Sequence, residues 1–545
     1  MSQAVAPLRI RHFRALWIAS VVSNVGSFLQ GVAGSWLMLE LTGSATWVGF
    51  MVASTTLPLL FLALTAGALA DLVDRAKLLL VSQIVMGSAA AAMAIVTSFG
   101  RIGPGLLLAL GLLLGVGMAF NLPAWQAMVP DLVPRGMVAS AVALNSVAFN
   151  VARAVGPALG GLIVATSGPE LAFGLNALSY AGVIGVLVVM RRTIATSDKE
   201  SSSVANAIAL GVRYARFTQA FRRLLLLAAL FAMTSAVIQA VLPTRTEDLG
   251  GSAAAYGLML GAMGLGALMA AFLREQIVRR LGTYSLPATI GLFGLAGIAV
   301  GAAPSIAWSM VALLVAGAAW VWTLTTTNAT AQLMAPSWVR GRAMSLYSLA
   351  FVGVLPIGSI LAGASADLIG AGQTMMLFSF GSLLLAVLVP RLKIPALADV
   401  ATPEFTDVPT GDHADTEGGP VMVVNTWDVN SEDLDAFAEM MAEVRLVRLR
   451  TGAYRWRLYR NAENPHRLSE VFLTVSWAEH LAQHRRIDDA SAALLRQART
   501  LDRTGSPVSR HLVAVDVEDP EGWDQLLASH EQYHRDDGSI PLDLS

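Results

Sequence analysis

The sequence contains no cysteine, which excludes disulfides, thiolate metal sites and a cysteine nucleophile, and leaves the redox compartment undetermined. Charge is scarce as well. Asp, Glu, Lys and Arg make up 14% of the 545 residues, where a soluble protein carries about a quarter. With 55% hydrophobic residues and a mean hydropathy of +0.60, the chain cannot cover itself with a polar surface and belongs in lipid. The net charge of −1 hides an asymmetry: residues 1–393 hold 23 Lys and Arg against 11 Asp and Glu, whereas residues 394–545 hold 14 against 27. Two regions of different physics are joined. Arg9, Arg11 and Arg14 precede an apolar run from Leu16 to Leu39; this run is too long for a signal peptide and leads straight into further apolar runs.

A membrane-crossing helix needs about 20 mostly apolar residues, and the chain offers twelve such runs. The first six lie near 14–39, 47–70, 77–98, 104–128, 138–167 and 171–190, and the second six near 223–243, 252–273, 284–303, 306–334, 343–369 and 373–390. Basic loops stay in the cytoplasm. Placing both termini inside puts twenty Lys and Arg on that side and only Arg101 and Arg245 outside, so an inner-membrane, multi-pass protein with cytoplasmic termini is expected. The halves also echo each other. Ala124-Trp-Gln-Ala-Met-Val-Pro130 matches Thr330-Ala-Gln-Leu-Met-Ala-Pro336, each before an Arg-Gly pair, and Ser146-x-Ala148-Phe149 recurs as Ser348-x-Ala350-Phe351. Six spans repeated in parallel fit two half-bundles around a midplane site. The stretch 191–222 between them reads as a Ser-rich, charged linker followed by a helix lying on the membrane surface from Val204 to Phe221.

Between spans two and three, Gly67-Ala-Leu-Ala-Asp71-Leu-Val-Asp74-Arg75-Ala-Lys77 resembles the loop signature of the major facilitator superfamily. Gly67 lets two helices approach closely, and Asp71 at a helix end can pair with basic groups or a helix terminus, latching one conformation together with Arg75 and Lys77. Asp74 stands where the family usually has Gly. The bland alternative is a set of loop charges facing water. The counterpart in the second half, Arg274-Glu275 to Arg279-Arg280, keeps the basic cluster without a convincing Asp. In span five, Gly156-Pro157-Ala-Leu-Gly160-Gly161 resembles the Gly-Pro-x-x-Gly-Gly signature of exporters in this superfamily. Pro157 removes a backbone donor and predicts a kink, small neighbours permit tight packing, and the resemblance implies export. A packing kink without further meaning is the competing explanation.

Arg153 is the ionisable residue that these boundaries place well inside a span, where a charge is costly unless it faces a cavity or a partner. It would attract an anionic or strongly polar substrate group or pair with a carboxylate during the cycle; snorkelling to an interface is the alternative. Asn24, Gln30, Asn145, Asn150, Trp322 and Asn328 are the other candidates for a substrate cavity, each equally explained by interhelical hydrogen bonding. Glu40, Asp71 and Asp367 are the carboxylates near span ends, which leaves proton coupling open. Across residues 1–393 the pattern is similar to the transmembrane secretion effector branch of the superfamily, on His12-Phe13-Arg14-x-Leu16-Trp17, Leu41-Thr-Gly-Ser44, Pro130-Asp-Leu-Val-Pro-Arg135 and Arg340-Gly-Arg342. That resemblance implies export of a small amphipathic molecule of the siderophore or drug class.

Residues 394–419 read as a polar linker. Beyond it, a strand at 420–429, helix 431–449, strands 453–460 and 468–476, helix 477–502 and strand 508–517 give a βαββαβ order that predicts a ferredoxin-like soluble domain. It resembles the dimeric α/β-barrel class of small monooxygenases and haem-degrading enzymes. His480 and His484 fall one helical turn apart; with no third ligand apparent, a polar helix face is the preferred reading. Residues 518–545 read as a loose acidic tail. The sequence thus predicts an all-α membrane protein with twelve transmembrane helices in two six-helix halves, 1–190 and 223–393, joined by the central linker 191–222. An α+β ferredoxin-like domain at 420–517 follows. No catalytic residue, cofactor, metal or nucleic-acid partner is expected; the partners are a small-molecule substrate and the lipid bilayer, with dimerisation through the C-terminal domain left open. A membrane platform for an enzyme, or a sensor of the exported compound, is the alternative function of that domain.

Overall fold

Each apolar run of the first 393 residues becomes helix, and short polar or glycine-containing turns end one helix and cap the next. The computed structural model describes residues 3–190, 204–395, 420–505 and 507–514. In chain order the helices are α1 Arg11–Thr42, α2 Ala45–Leu72, α3 Arg75–Ser98, α4 Pro104–Met128, α5 Val138–Ser167, α6 Pro169–Met190 and α7 Val204–Phe217. They continue with α8 Gln219–Asp248, α9 Ala253–Leu281, α10 Ser285–Ala302, α11 Ile306–Met334, α12 Arg340–Val352, α13 Leu355–Ile369 and α14 Ala371–Leu388. Among the described residues, twelve spans are long and apolar enough to cross a membrane. The even number returns the chain to the end of the bundle where α1 begins, here the near end; α1 meets α2 at the far end.

The turn between α1 and α2 shows how the ends are made. Gly43 adopts a left-handed φ of 60° and returns its N–H to the Leu39 carbonyl, a conformation open to glycine at no steric cost; Ser44 then caps α2 by accepting from the Trp47 N–H. Asp74 does the same for α3, accepting from Ala76 N at 2.9 Å and Lys77 N at 3.2 Å. This explains the departure from glycine at that position: Asp74 is a helix cap worth about 1 kcal/mol.

The chain falls into two units by its contacts. The first comprises Met1–Val204, Arg223–Gln332 and Met344–Val400 and contains the span bundle. Within its first half α1 packs on α5 and α6, and α3 on α4 and α6; between halves the principal contacts are α5 on α9 and α2 on α13. The eleventh span, expected as one helix over 343–369, is two helices, α12 and α13, interrupted at Gly353 and Val354. Pro356 lacks the N–H that would bond to Val352, and its ring crowds that carbonyl.

The second unit comprises Ala205–Arg222, Leu333–Ala343 and Ala401–Ser545. Its sheet is built from β1 Val421–Asp428, β2 Arg455–Arg460, β3 Arg467–Thr474 and β4 Val508–Val513, with helices α15 Leu434–Thr451, α16 Trp477–Arg485 and α17 Asp489–Arg499. The strand order is β2-β3-β1-β4, every neighbour antiparallel. Alternate residues of β1, Val421, Val423, Asn425 and Trp427, are buried, as a half-buried strand of period two requires. Trp427 meets Phe437, Met441 and Val444 of α15 in the core. The single helix expected over 477–502 is divided into α16 and α17, because Asp488 accepts from the Ser491 N–H at 2.8 Å and starts a new helix.

Helix α7 corrects a third expectation. Its apolar stripe reads as seeking lipid, yet Leu210 and Tyr214 are buried inside the second unit. Tyr214 donates to the Met334 carbonyl at 2.6 Å, its ring meets Trp338 edge-on at 6.0 Å, and Arg213 donates to the Gly452 carbonyl at 3.0 Å. Protein covers Leu210 and Tyr214 of the face expected to lie on the membrane. The Ser-rich segment 193–203, nearly all of the linker 394–419 and the acidic tail 518–545 lie outside the described residues.

Candidate functional site

Arg153 sits in the middle of α5, and two aromatic faces hold its guanidinium. Phe149, one turn earlier on the same helix, has its ring centroid 5.0 Å away, and Trp320 of α11 lies at 4.8 Å. Spacing of four residues stacks Phe149 and Arg153 on one face; Trp320 comes from the other half of the bundle. Phe28 of α1 extends the cluster at 5.5 Å from Phe149, and Phe351 of α12 at 6.2 Å from Trp320. Arg153 has no ion-pair or hydrogen-bond partner among the described residues. The magnitudes make this tenable. Inserting an arginine at mid-membrane costs about 3 kcal/mol on insertion scales, and a desolvated cation–π contact returns about 2 kcal/mol. Two rings therefore stabilise the charge without neutralising it. A group of this kind can take an anion.

From Arg153 toward the far end the halves are closed by small residues. A Cβ on Gly264 of α9 would lie 2.6 Å from the Arg153 carbonyl, one on Gly261 would lie 3.2 Å from Ala158 Cβ, and one on Gly257 would lie 2.7 Å from Gly161 Cα. The backbones of α5 and α9 touch along this line, as small-residue stripes allow. Gly156 and Gly160 face α1 instead, against Phe28 and Leu29. The span-five signature therefore serves two interfaces. α5 continues as helix through Pro157 without interruption.

The architecture and the chain's own pattern agree with known proteins. A family profile described as transmembrane secretion effector matches residues 2–519. The chain belongs to the transmembrane secretion effector family. This family is a branch of the major facilitator superfamily, and its named relatives are transporters. The multidrug efflux pump Tap of Mycolicibacterium fortuitum is 28% identical over 391 residues, 69% of this chain and 95% of the pump. The staphyloferrin A transporter of Staphylococcus aureus is 23% identical over 368 residues, 67% of this chain and 92% of that protein. The enterobactin exporter EntS of Salmonella choleraesuis is 27% identical over 290 residues, 52% of this chain and 69% of the exporter. A solved bacterial homologue of the human lysosomal transporter Spinster, inward-facing and unoccupied, shares the fold with a TM-score of 0.58 at 14% identity, covering 73% of this chain and all of that one. The chain is a transporter and not an enzyme; neither the family nor these relatives support the membrane-anchored monooxygenase alternative.

Within this secretion-effector fold the other predicted residues divide. Gln30 is buried inside the first half, accepting from Asn176 and donating to Met93 Sδ at 3.3 Å. Trp322 donates to the Ala270 carbonyl at 2.8 Å and lines a pocket with Arg280, Leu281, Ala288 and Thr289. Both serve their own half, and Trp320, two residues before Trp322, meets Arg153 instead. Asn150 donates to the Ser146 carbonyl at 2.8 Å, and Asn328 accepts from Gln332 at 2.7 Å. Asn24 and Asn145 are half-buried. Gly67 and Asp71 fall in the last turns of α2, with Arg75 and an exposed Lys77 opening α3; the Asp71 side chain lies outside the described residues. Sequence reasoning passed over Phe149 and Phe351 as site residues, although they occupy matching positions of the internal repeat.

In the second unit, His480 and His484 do not form a polar helix face. His480 is 3% exposed, and its ring lies 4.8 Å from both His484 and His511 of β4. Burial, then the neighbouring His484, His511 and Arg448, lowers His480 to about 2; burial and Arg448 lower His484 to about 4. A histidine held neutral in the fold adds no pH dependence above its unfolded value of about 6.5. Below that value the unfolded chain takes up protons first, so stability falls as pH falls. At pH 5 the loss is about 2 kcal/mol for each of the two histidines. Tryptophan fluorescence, with Trp427, Trp456 and Trp477 as reporters, is expected to show the thermal transition of this unit dropping between pH 6.5 and pH 5, and His480→Phe is expected to flatten that slope.

Proposed function

We propose that the chain exports a small amphipathic molecule of the siderophore or drug class across the inner membrane, by alternating access, with both termini in the cytoplasm. The observation that carries this is Arg153, an unpaired cation held between one ring from each half at the lower end of a closed glycine-lined seam. A cargo with an anionic or strongly polar group and an apolar body meets both features of that site. The relatives that move staphyloferrin A, enterobactin and drugs make the cargo class reasonable. The basic residues at the near end support cytoplasmic termini, and Gly67, Asp71, Arg75 and Lys77 are the proposed conformational latch. Proton exchange is the proposed driving reaction, through a carboxylate near a span end.

For residues 420–514, the order of strands and helices and the sheet order β2-β3-β1-β4 support a ferredoxin-like domain of the dimeric α/β-barrel type. Its outer sheet face carries the exposed Tyr459, Val508 and Leu512, which suit a second copy. We assign it an accessory role. Everted membrane vesicles from cells producing the full chain are expected to load a fluorescent amphipathic anion in a proton-gradient-dependent way, several-fold above vesicles without it. A chain truncated after Lys393 is expected to retain loading. Loading only by right-side-out vesicles would reverse the direction, and loss of a metabolic product with unchanged transport would return the enzyme reading.

A further inference from the structure

We infer that Asp367 is a gate residue: its carboxylate latches the far end of the transport path to the start of α2 and must let go for that end to open. Asp367 lies in the last turn of α13, in the second half. It accepts from Ala45 N at 2.7 Å, Thr46 N at 3.1 Å, Ser44 Oγ at 2.5 Å and Thr46 Oγ1 at 2.6 Å, all in the first half. The two backbone donors are first-turn N–H groups that no intrahelical carbonyl satisfies, and a helix start favours an anion. Ser44 already caps α2 through the Trp47 N–H, so α2 does not need a carboxylate from the other half in order to begin. Four donors from one half converge on one acceptor from the other.

The latch sits at the top of a seam. A Cβ on Gly363 would lie 2.9 Å from Thr46 Cα and would also strike the Ala45 carbonyl, and one on Gly49 would lie 2.5 Å from the Ser359 carbonyl. Helices α2 and α13 therefore touch backbone to backbone from Asp367 downward, as α5 and α9 do along their own seam. Small-residue contacts can part without breaking directional bonds. Asp367 is where directional bonds cross this seam, so it sets how long the far end stays shut. The turn Thr42-Gly43-Ser44 gains a role by the same geometry: it presents the donors.

The absence of native cysteine supplies the test, because one introduced cysteine is the sole thiol. Ser359→Cys is nearly isosteric, and Ser359 is 1% exposed in the α2–α13 seam. Full-length protein in native membranes is labelled with a membrane-impermeant maleimide, applied to spheroplasts and to everted vesicles. With Asp367 intact, labelling from the far side is expected to be slow. Asp367→Asn and Asp367→Ala are expected to raise that rate about tenfold, a modest population shift, with Asp367→Glu between. Turnover of a fluorescent cargo falls in both variants with its apparent KM unchanged. A residue acting only as a helix cap would leave labelling unchanged and lower the thermal transition; that result, in both variants, overturns the inference. Where Asp367→Ala fails to accumulate, Ser44→Ala with Thr46→Val removes two donors, and unchanged labelling there overturns it equally. The inference rests on the alternating-access reading, but labelling needs no cargo. A chain that fails to transport any tested cargo while labelling as expected refutes the export assignment and leaves the gate.

Discussion

Replacing Arg153 by alanine is expected to reduce cargo export at least about a hundredfold while the protein still accumulates in the membrane. The reasoning is energetic. Among the described residues Arg153 has no carboxylate to leave stranded, so its removal exposes no unpaired charge there and spares the bundle the cost of inserting a cation, about 3 kcal/mol. What disappears is the positive charge at the centre of the bundle, together with the contact to Phe149 at 5.0 Å on its own helix and the contact to Trp320 at 4.8 Å that links the halves. A charge-assisted hydrogen bond to an anionic cargo is worth about 1.5–3 kcal/mol, and each 1.4 kcal/mol is a factor of ten; losing that bond and the ring bridge together gives the stated effect. Arg153→Lys keeps the charge but loses the planar stacking surface, and an intermediate defect of about tenfold is expected. Efflux assays at matched protein level, with bound cargo read by quenching of Trp320, distinguish the variants. Wild-type export from Arg153→Ala would show that the central site lies elsewhere.

A comparably large effect is expected from Gly161→Val. A Cβ there meets the Ala253 carbonyl and lies 2.7 Å from Gly257 Cα, so it strikes backbone, which cannot rotate away as a side chain can. The far-end seam between α5 and α9 is expected not to close, and export to fall at least about a hundredfold. An interface forced apart costs a few kcal/mol, as overpacking does, and that suffices to depopulate one state of the cycle. Gly182→Ala in α6, where a Cβ meets nothing within 4 Å, is the control and should transport normally. Normal export from Gly161→Val would mean that this seam does not have to close.

The spans were legible because each is an apolar run long enough to cross a bilayer, and Arg153 because a charge within such a run stands out. Which tryptophan faces it was not. Trp320 and Trp322 are two residues apart and point to opposite sides of α11, so the choice depends on the rotation of that helix in the packed bundle. Gln30 stands out in its span by its polarity, but its partner Asn176 lies on α6, 146 residues away. Long-range pairing also explains the histidines: His511 on β4 and the sheet beneath α16 turn His480 inward. The break at Gly353 could have been suspected from Pro356. For α7 the apolar stripe was visible, but periodicity cannot say whether lipid or protein covers it. Phe149 and Phe351 had the clearest unused signal, since a repeat that preserves an aromatic in both halves places it symmetrically about the centre.

The glycine-lined contact between α5 and α9 bears on the thermodynamics of the cycle. Where backbone meets backbone, few rotamers are frozen on closing and few polar groups are stripped of partners on opening. Cohesion across such a face comes from dispersion and weak Cα–H contacts, each a fraction of a kcal/mol. Shut and parted arrangements can then lie within a few kcal/mol of each other. A transporter with nearly balanced states needs only a modest difference in cargo or ion affinity between them to be driven from one to the other.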